Sequence, residues 1–277
     1  MKIQYLGTAA AEGVPALFCS CDICQKARAA GGRAIRSRSQ AIVNGTLLID
    51  FPADTFYHMV NNGIDLLDIG ACLITHAHGD HFQPDDFFHP RPGYSKPRDG
   101  WGGLDVYGSE DLTESMAPFV GEGLSVRFHP VAPYEPFTAA GLTVTAVPAV
   151  HGTAHPYIYL ISDGKQNLLY CHDSGPLPEE TWDRLSAMGI LLDLVSLDCT
   201  EGMRPMMHYG THMCLYLNRE FRAEALRRGL ADEKTVFVLN HFSHNGVNSF
   251  YDDFAPAAAK EDFVTSYDGM TVELPTR

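Results

Sequence analysis

The chain has 277 residues, of which 45% are hydrophobic, so it can bury a sizeable core. Its 34 acidic and 20 basic residues give a formal net charge of −14, which argues against a protein that grips nucleic acid through a basic face. No apolar run reaches the roughly 18–20 residues of a membrane span, and the N-terminus lacks the layout of a signal peptide. We therefore expect a cytoplasmic protein with a single domain over residues 1–277.

Short apolar strands alternate with helical stretches, which predicts an α/β fold. The predicted strands are Lys2–Leu6, Gln40–Val43, Thr46–Asp50, Ala71–Thr75, Leu104–Tyr107, Leu124–Phe128, Leu142–Val147, Tyr157–Ser162, Asn167–Cys171, Leu192–Leu197, Thr235–Leu239 and short segments around Phe263 and Thr271. The predicted helices are Asp22–Ala30, Asp54–Asn62, Pro178–Met188, His212–Arg228 and Phe250–Lys260. Asn44-Gly45 and Asp163-Gly164 are typical of hairpin turns and predict two hairpins.

A stretch rich in Pro and Gly, Phe82–Gly103, interrupts this alternation. We predict that much of it is a long loop, and long loops in compact domains are often functional lids. We expect the part from Phe88 to Gly103 to border the substrate.

The predicted strand Ala71–Thr75 runs directly into His76-Ala77-His78-Gly79-Asp80-His81. Three imidazoles and one carboxylate within six residues form a suitable ligand set for borderline divalent metals. A surface cluster of histidines is the alternative interpretation.

Three later residues each follow an apolar strand, as a metal ligand on a rigid support would. They are His151, Asp173 and His241. One histidine at a strand end would be unremarkable, but three such positions together with the earlier run favour a metal centre.

With these residues in this order, the chain resembles the metallo-β-lactamase superfamily over essentially its whole length. The resemblance implies an αββα sandwich, with two mixed β-sheets flanked by helices and a dinuclear metal site at one edge. It implies that the first metal is held by His76, His78 and His151, the second by Asp80, His81 and His241, and that Asp173 bridges them.

The resemblance also gives a role to Asp50, which ends the strand Leu47-Leu48-Ile49-Asp50. It matches a family carboxylate that orients a ligand histidine; a helix N-cap is the alternative. Flavodiiron relatives carry Glu in a His-x-Glu-x-Asp run, whereas position 78 here is His, so redox iron is not expected. We expect zinc or manganese.

The chain has seven cysteines, an odd number, and shows no export signal, which argues against a full disulfide framework. Cys19, Cys21 and Cys24 form a Cys-x-Cys-x-x-Cys cluster, and three thiolates need a fourth ligand to close a tetrahedral structural zinc site. His244 is the candidate. Three unliganded thiols are the alternative.

The segment Gly7–Pro15, the run His241-Phe242-Ser243-His244 and the late Tyr267-Asp268-Gly269-Met270 are similar to phosphoribosyl cyclic phosphate phosphodiesterases of the carbon–phosphorus lyase pathway. The cysteine cluster also recurs in a relative from pyrroloquinoline-quinone biosynthesis, so it marks a subgroup. The resemblance implies a small anionic phosphodiester substrate. We leave a homodimer open and expect neither membrane nor nucleic acid as a partner.

In the phosphodiesterase relatives a histidine acts near the leaving group, and His212 is the better match because it opens the predicted helix. His208 is the fallback, and a packing or capping role is the alternative for His212. A group around Asp80 could also protonate the leaving alkoxide. His172 and His155 are further candidates for the pocket.

The function expected is therefore hydrolysis of a small phosphodiester, cyclic phosphates included, by a hydroxide that bridges two metals. The alternatives are a hydrolase of another ester class on the same scaffold (a lactone, a thioester or a nucleic-acid phosphodiester) and a non-catalytic relative that acts in cofactor maturation.

Overall fold

The computed structural model of the protein describes residues 1–205 and 210–276. Within these ranges, no helix is both long and apolar enough to cross a membrane.

Two seven-stranded mixed sheets face each other. The first has the order β14-β1-β2-β3-β4-β5-β6 and the second β13-β12-β11-β10-β9-β8-β7. The bounds are β1 Lys2–Gly7, β2 Gln40–Val43, β3 Leu47–Ile49, β4 Ala71–Leu73, β5 Leu104–Gly108, β6 Val126–Pro130, β7 Pro136–Ala139, β8 Leu142–Pro148, β9 Tyr157–Ser162, β10 Asn167–Cys171, β11 Leu194–Asp198, β12 Val236–Asn240, β13 Phe263–Thr265 and β14 Thr271–Glu273.

The described residues form α-helices α1 Asp22–Ala30, α2 Thr55–Asn62, α3 Thr113–Met116, α4 Glu179–Ala187, α5 Leu215–Arg227 and α6 Tyr251–Ala259. Short 3₁₀ turns lie at Gly32–Ala34, Leu66–Asp68, Pro84–Phe88, Glu110–Leu112 and Ala117–Phe119. Both predicted hairpins are present, because Asn44-Gly45 joins antiparallel β2 and β3, and Asp163-Gly164 joins antiparallel β9 and β10.

Three clusters of buried apolar side chains hold the two sheets and the helices together. The central cluster between the sheets includes Tyr5, Leu73 and Tyr159, all fully buried. The outer face of the first sheet carries a second cluster. The outer face of the second sheet packs Trp182 of α4, Phe221 of α5 and Phe254 of α6. The expectation of two mixed sheets flanked by helices is confirmed.

Helix α3 was not predicted, and several strand bounds are shifted by a few residues. Two further differences have a clear physical reason. Strand β7 was not predicted; it lies at the edge of the second sheet, where Pro136 costs no central ladder bond. Helix α5 begins at Leu215 rather than at His212, because the amide of Met213 donates to Asp198 and the amide of Leu215 donates to Gly202. His212 therefore lies on the loop that leads into the helix.

Candidate metal centre

The candidate ligands meet because parallel strands bring their carboxyl ends to one edge of the sandwich. Strands β10, β11 and β12 are parallel neighbours, with Cys171 beside Leu197 and Asp198 beside Asn240. Asp173 and His241 follow these strands, and β4 of the facing sheet leads into His76. The predicted clustering of strand-end residues is therefore what the topology produces.

Three buried residues at this edge have a left-handed backbone that L-residues rarely adopt. The φ angles are 67° at Asp50, 47° at Asp173 and 61° at His241. Such conformations cost about 1–3 kcal/mol each and cluster at functional sites, where the surrounding structure enforces them. Here they turn each side chain out of its strand and towards the shared centre.

The first ligand group consists of His76, His78 and His151, which can offer one atom each to a single ion. The Nδ1 of His78 lies 3.1 Å from the Nε2 of both His76 and His151. His76 is buried, His151 is half-buried and His78 is exposed, so this group opens to solvent. Burial first, and then the neighbouring imidazole of His81, lower the pKa of His76 to about 2. The imidazole of His76 is therefore neutral at any ordinary pH, which is the form that binds a metal ion.

The second group consists of Asp80, His81, Asp173 and His241. The Nε2 of His81 lies 2.6 Å from Asp173 Oδ2, 3.3 Å from Asp80 Oδ2 and 3.3 Å from His241 Nε2. Asp173 Oδ2 is also 3.4 Å from His76 Nε2, which belongs to the first group. Asp173 therefore stands between the two groups, where the resemblance expects a bridging carboxylate.

Asp50 orients His81, and the alternative of a helix N-cap is wrong. Its Oδ1 accepts hydrogen bonds from the amide and hydroxyl of Thr75, and its Oδ2 lies 2.7 Å from His81 Nδ1. Asp54, not Asp50, precedes helix α2. With Nδ1 committed to Asp50, the Nε2 of His81 is the nitrogen that faces the other ligands.

His212 lies beside this second group, held by a carboxylate that the sequence did not single out. Its Nδ1 is 3.0 Å from Asp198 Oδ2 and 3.2 Å from Asp173 Oδ1. Asp198 is fully buried, and its Oδ1 accepts from the amides of Thr200 and Met213. The signal for Asp198 was weak, since the predicted strand Leu192–Leu197 stopped one residue before it.

The carboxylates around His212 favour its protonated form. Burial alone would lower its pKa, but the negative charges of Asp198 and Asp173 outweigh burial and raise the pKa to about 11. Thr200 adds a link between His212 and the ligand set, because its hydroxyl lies 3.2 Å from His212 Nδ1 and 2.8 Å from His241 Nδ1.

The donor set fits divalent metal ions. Asp173 Oδ1 is buried and makes no hydrogen bond within the described residues, although ring nitrogens lie 3.2 and 3.3 Å away. A buried carboxylate oxygen without a hydrogen bond is costly unless another group, such as a cation, satisfies it. Imidazoles and carboxylates in this number are suitable donors for zinc or manganese.

The cysteine cluster assembles as the sequence suggested. The Sγ atoms of Cys19 and Cys21 both lie 3.4 Å from His244 Nδ1, and Cys24 completes a group within reach of one ion. The amide of Cys21 donates to Cys19 and lowers the pKa of that thiol, whereas burial raises the pKa of Cys24 to about 11. Three thiols and one imidazole are the number and kind of ligands found in tetrahedral structural zinc sites.

Of the remaining histidine candidates, the two that the structure describes do not join the ligand groups. His172 is buried against Ser196 and Asn240, so it is an interior residue rather than a pocket residue. His155 is exposed and lies 3.4 Å from Asp111. His208 lies outside the described residues. Part of the stretch Phe88–Gly103 packs against helix α2 over the first sheet, around a cavity that none of the candidate metal ligands lines.

The sequence profile of the beta-lactamase superfamily domain matches residues 48–237, which is more than half of the chain. The chain therefore belongs to this family. The family and the assembled imidazole and carboxylate groups define a metal-dependent hydrolase.

Structural comparisons agree with this class. The chain superposes on a diphosphatase from the PhnP family with a TM-score of 0.73 and 23% identity, covering 99% of this chain and 98% of the other. It superposes on Zn²⁺-bound PqqB from Methylobacterium extorquens with a TM-score of 0.70 and 19% identity, covering 99% of this chain and 100% of the other. It superposes on the short form of human tRNase Z with a TM-score of 0.65 and 16% identity, covering 100% of both chains. Identities this low establish a shared fold alone. No match was found among curated protein sequences.

Proposed function

We propose that the chain is a phosphodiesterase with two divalent metal ions, zinc or manganese, and that it hydrolyses a small anionic phosphodiester, cyclic phosphates included. The observation that carries the proposal is the pair of His212 and Asp198 beside the second ligand group. Neither residue is needed to complete the ligand sets that the resemblance implies. Asp198 and His212 could also bind an ion together with Asp173 and His241, and ion content in a His212 variant separates that role from a role in the reaction.

The proposed ligands divide between the two ions as the distances suggest, with His76, His78 and His151 on one side, Asp80, His81 and His241 on the other, and Asp173 between them. When bound, two divalent ions lower the pKa of a coordinated water to near neutrality and offset the negative charge of a phosphodiester. The exposure of His78 places solvent, and so an incoming substrate, on the side of the first group.

His212 acts at the leaving group in this proposal. Its Nδ1 faces the carboxylates of Asp198 and Asp173, which leaves Nε2 as the nitrogen that can donate to an alkoxide oxygen. The buried negative charge of Asp198 keeps the imidazole protonated, and general acid catalysis of this kind contributes about 10²–10⁴-fold in rate.

Asp80 is the other candidate for proton transfer, and its surroundings favour a ligand role. Burial would raise the pKa of its carboxyl, but the hydrogen bond and charge of His81 outweigh burial and lower that pKa. An ionised carboxylate cannot donate a proton, and it is the form in which Asp80 can bind an ion.

We also propose that Cys19, Cys21, Cys24 and His244 hold one structural zinc ion. The loop that carries the cysteines exposes Leu17 and Phe18, and helix α1 buries Cys24 and Ala27 in a small apolar cluster. A zinc ion would tie this loop to the segment after β12, which also supplies the metal-centre candidate His241.

Two of the similar structures support phosphate chemistry, since they are a diphosphatase and a tRNase. The Zn²⁺-bound PqqB keeps open an enzyme of another ester class or a non-catalytic role. These candidates are separated by measuring turnover by the metal-loaded protein of a substrate panel that contains phosphodiesters, a lactone, a thioester and a diphosphate. We expect turnover of the diesters that a chelator abolishes; turnover of only the lactone or the thioester would overturn the proposal.

His212→Ala tests the proposed acid within the same panel. We expect the variant to keep both active-site ions but to lose at least about 100-fold on alkyl diesters, with much less loss on nitrophenyl diesters, whose leaving groups need little protonation. His155→Ala, which removes an exposed histidine that also faces a carboxylate, is the matched control. Equal losses on both diester classes would remove His212 from this role.

A further inference from the structure

A cavity of about 390 Å³ lies on the outer side of the first sheet, away from the proposed metal ligands. Its floor includes Leu48 and Phe51, one wall is formed by Phe56 and Met59 of helix α2, and its roof includes Ser95 and Trp101 from the stretch after the metal motif. Protein interiors are packed nearly as densely as organic crystals, so an apolar void of this size is unusual unless something fills it.

The size of the cavity suits a small molecule, since ligand pockets commonly measure about 300–1,000 Å³. Its lining is predominantly aliphatic and aromatic. Apolar cavities tend to stay dry and to bind hydrocarbon guests, because water inside them has too few hydrogen-bonding partners. The body of a ligand would therefore be hydrocarbon.

The charges at the cavity disfavour an anion. Among the described residues that line it there is no Lys or Arg, and the one carboxylate is that of Asp86. The ligand class is therefore different from the anionic substrate proposed for the metal centre. Phe56 is 70% exposed although it lines the cavity, which places an opening to solvent at this side of helix α2.

We propose that this cavity binds a small uncharged molecule with an aromatic or branched hydrocarbon body. The site has a physical connection to the metal centre, because the amide of Phe51 donates to the carbonyl of His81, and the amide of Gln83, two residues after His81, donates to the carbonyl of Phe51. The binding proposal nevertheless stands without the proposed function, since its tests read binding and not activity.

The first test uses metal-loaded protein and the neutral fluorophore N-phenylnaphthylamine. We expect a saturable rise in fluorescence at one probe per chain. Met59→Trp fills the cavity from helix α2 and should weaken binding at least about tenfold, whereas Val60→Trp, one residue further along and 60% exposed, should leave it unchanged. Leu67→Trp fills the cavity from another wall and serves if the first variant does not fold.

The second test compares an uncharged guest with an anionic one by displacing the probe with naphthalene or with naphthalenesulfonate. We expect naphthalene to displace the probe and naphthalenesulfonate to displace it at least about tenfold less well, because the lining is apolar and its one charged carboxylate is that of Asp86. Absence of saturable binding, equal binding by the Met59 and Val60 variants, equal displacement by the two guests, or binding that requires association of two chains would overturn the proposal.

Discussion

Replacing Asp198 with Asn should change how the rate depends on pH, because this carboxylate is the buried negative charge that holds the proton of His212. The substitution keeps the shape of the side chain, and its oxygen can still accept from the amides of Thr200 and Met213. What changes is the group 3.0 Å from His212 Nδ1, which loses its charge. Bound ions would take up the charge of Asp173, so Asp198 is the carboxylate that remains to support the imidazolium.

The size of the effect follows from the pKa. The charges of Asp198 and Asp173 together raise the pKa of His212 to about 11. With the charge of Asp173 taken up by bound ions, Asp198 is the group that keeps this pKa above its ordinary value. Without Asp198 the pKa should fall to the ordinary value of about 6.5 or below, since burial lowers it. At pH 8 only about 3% of the imidazole would then be protonated, which predicts a loss of about 30-fold that largely disappears at pH 6.

The assay is kcat for an alkyl diester and for a nitrophenyl diester between pH 6 and pH 9, with ion content measured alongside. We expect the alkyl diester rate of the variant to fall about tenfold per pH unit above its new pKa, relative to the wild type, and the nitrophenyl rate to change little. Asp193→Asn, a buried carboxylate at the other end of strand β11, is the control for stability. Parallel pH profiles for Asp198→Asn and the wild type would refute the reasoning.

Three further outcomes follow from the site. Asp173→Ala should lose at least one active-site ion and nearly all turnover; two retained ions by elemental analysis with near-normal turnover would contradict its bridging position. Cys21→Ser should lower the melting temperature by more than about 5 °C and remove one zinc while sparing turnover per folded molecule; an unchanged melting temperature and zinc content would exclude the structural site. Burial alone would lower the pKa of His81, but Asp50 and Asp173 raise it, so metal binding at pH 7.5 should release a proton and strengthen as pH rises; calorimetric heats that do not depend on the buffer would contradict this.

Much of the fold and of the candidate site could be predicted because both depend on local patterns. Apolar runs with alternating helices indicated the sheets, and Asn44-Gly45 placed a hairpin by turn chemistry alone. His151, Asp173 and His241 were found because each directly follows a strand, and parallel pairing then carried them to the same edge.

Features that depend on contacts distant in sequence were not predicted. Asp198 lies fourteen residues from His212, and nothing in the local sequence shows that a loop returns to pair them. The same loop explains the late start of helix α5, since Asp198 takes the amide of Met213 that a helix would otherwise include. The apolar cavity is also a tertiary feature, because its walls come from helix α2 and from a stretch that the sequence indicated only as a loop.

The most direct test of the proposed function is a titration of chelated protein with zinc or manganese, in which bound ions and turnover of a small phosphodiester are measured on the same samples. The chelator should remove the ions of the imidazole and carboxylate groups but leave the ion of the cysteine site in place. Ions added afterwards then bind to the imidazole and carboxylate groups. We predict that turnover appears with added metal and reaches its maximum when two further ions are bound per chain. Full turnover with one ion, or two bound ions without hydrolysis of any phosphodiester, would contradict the account.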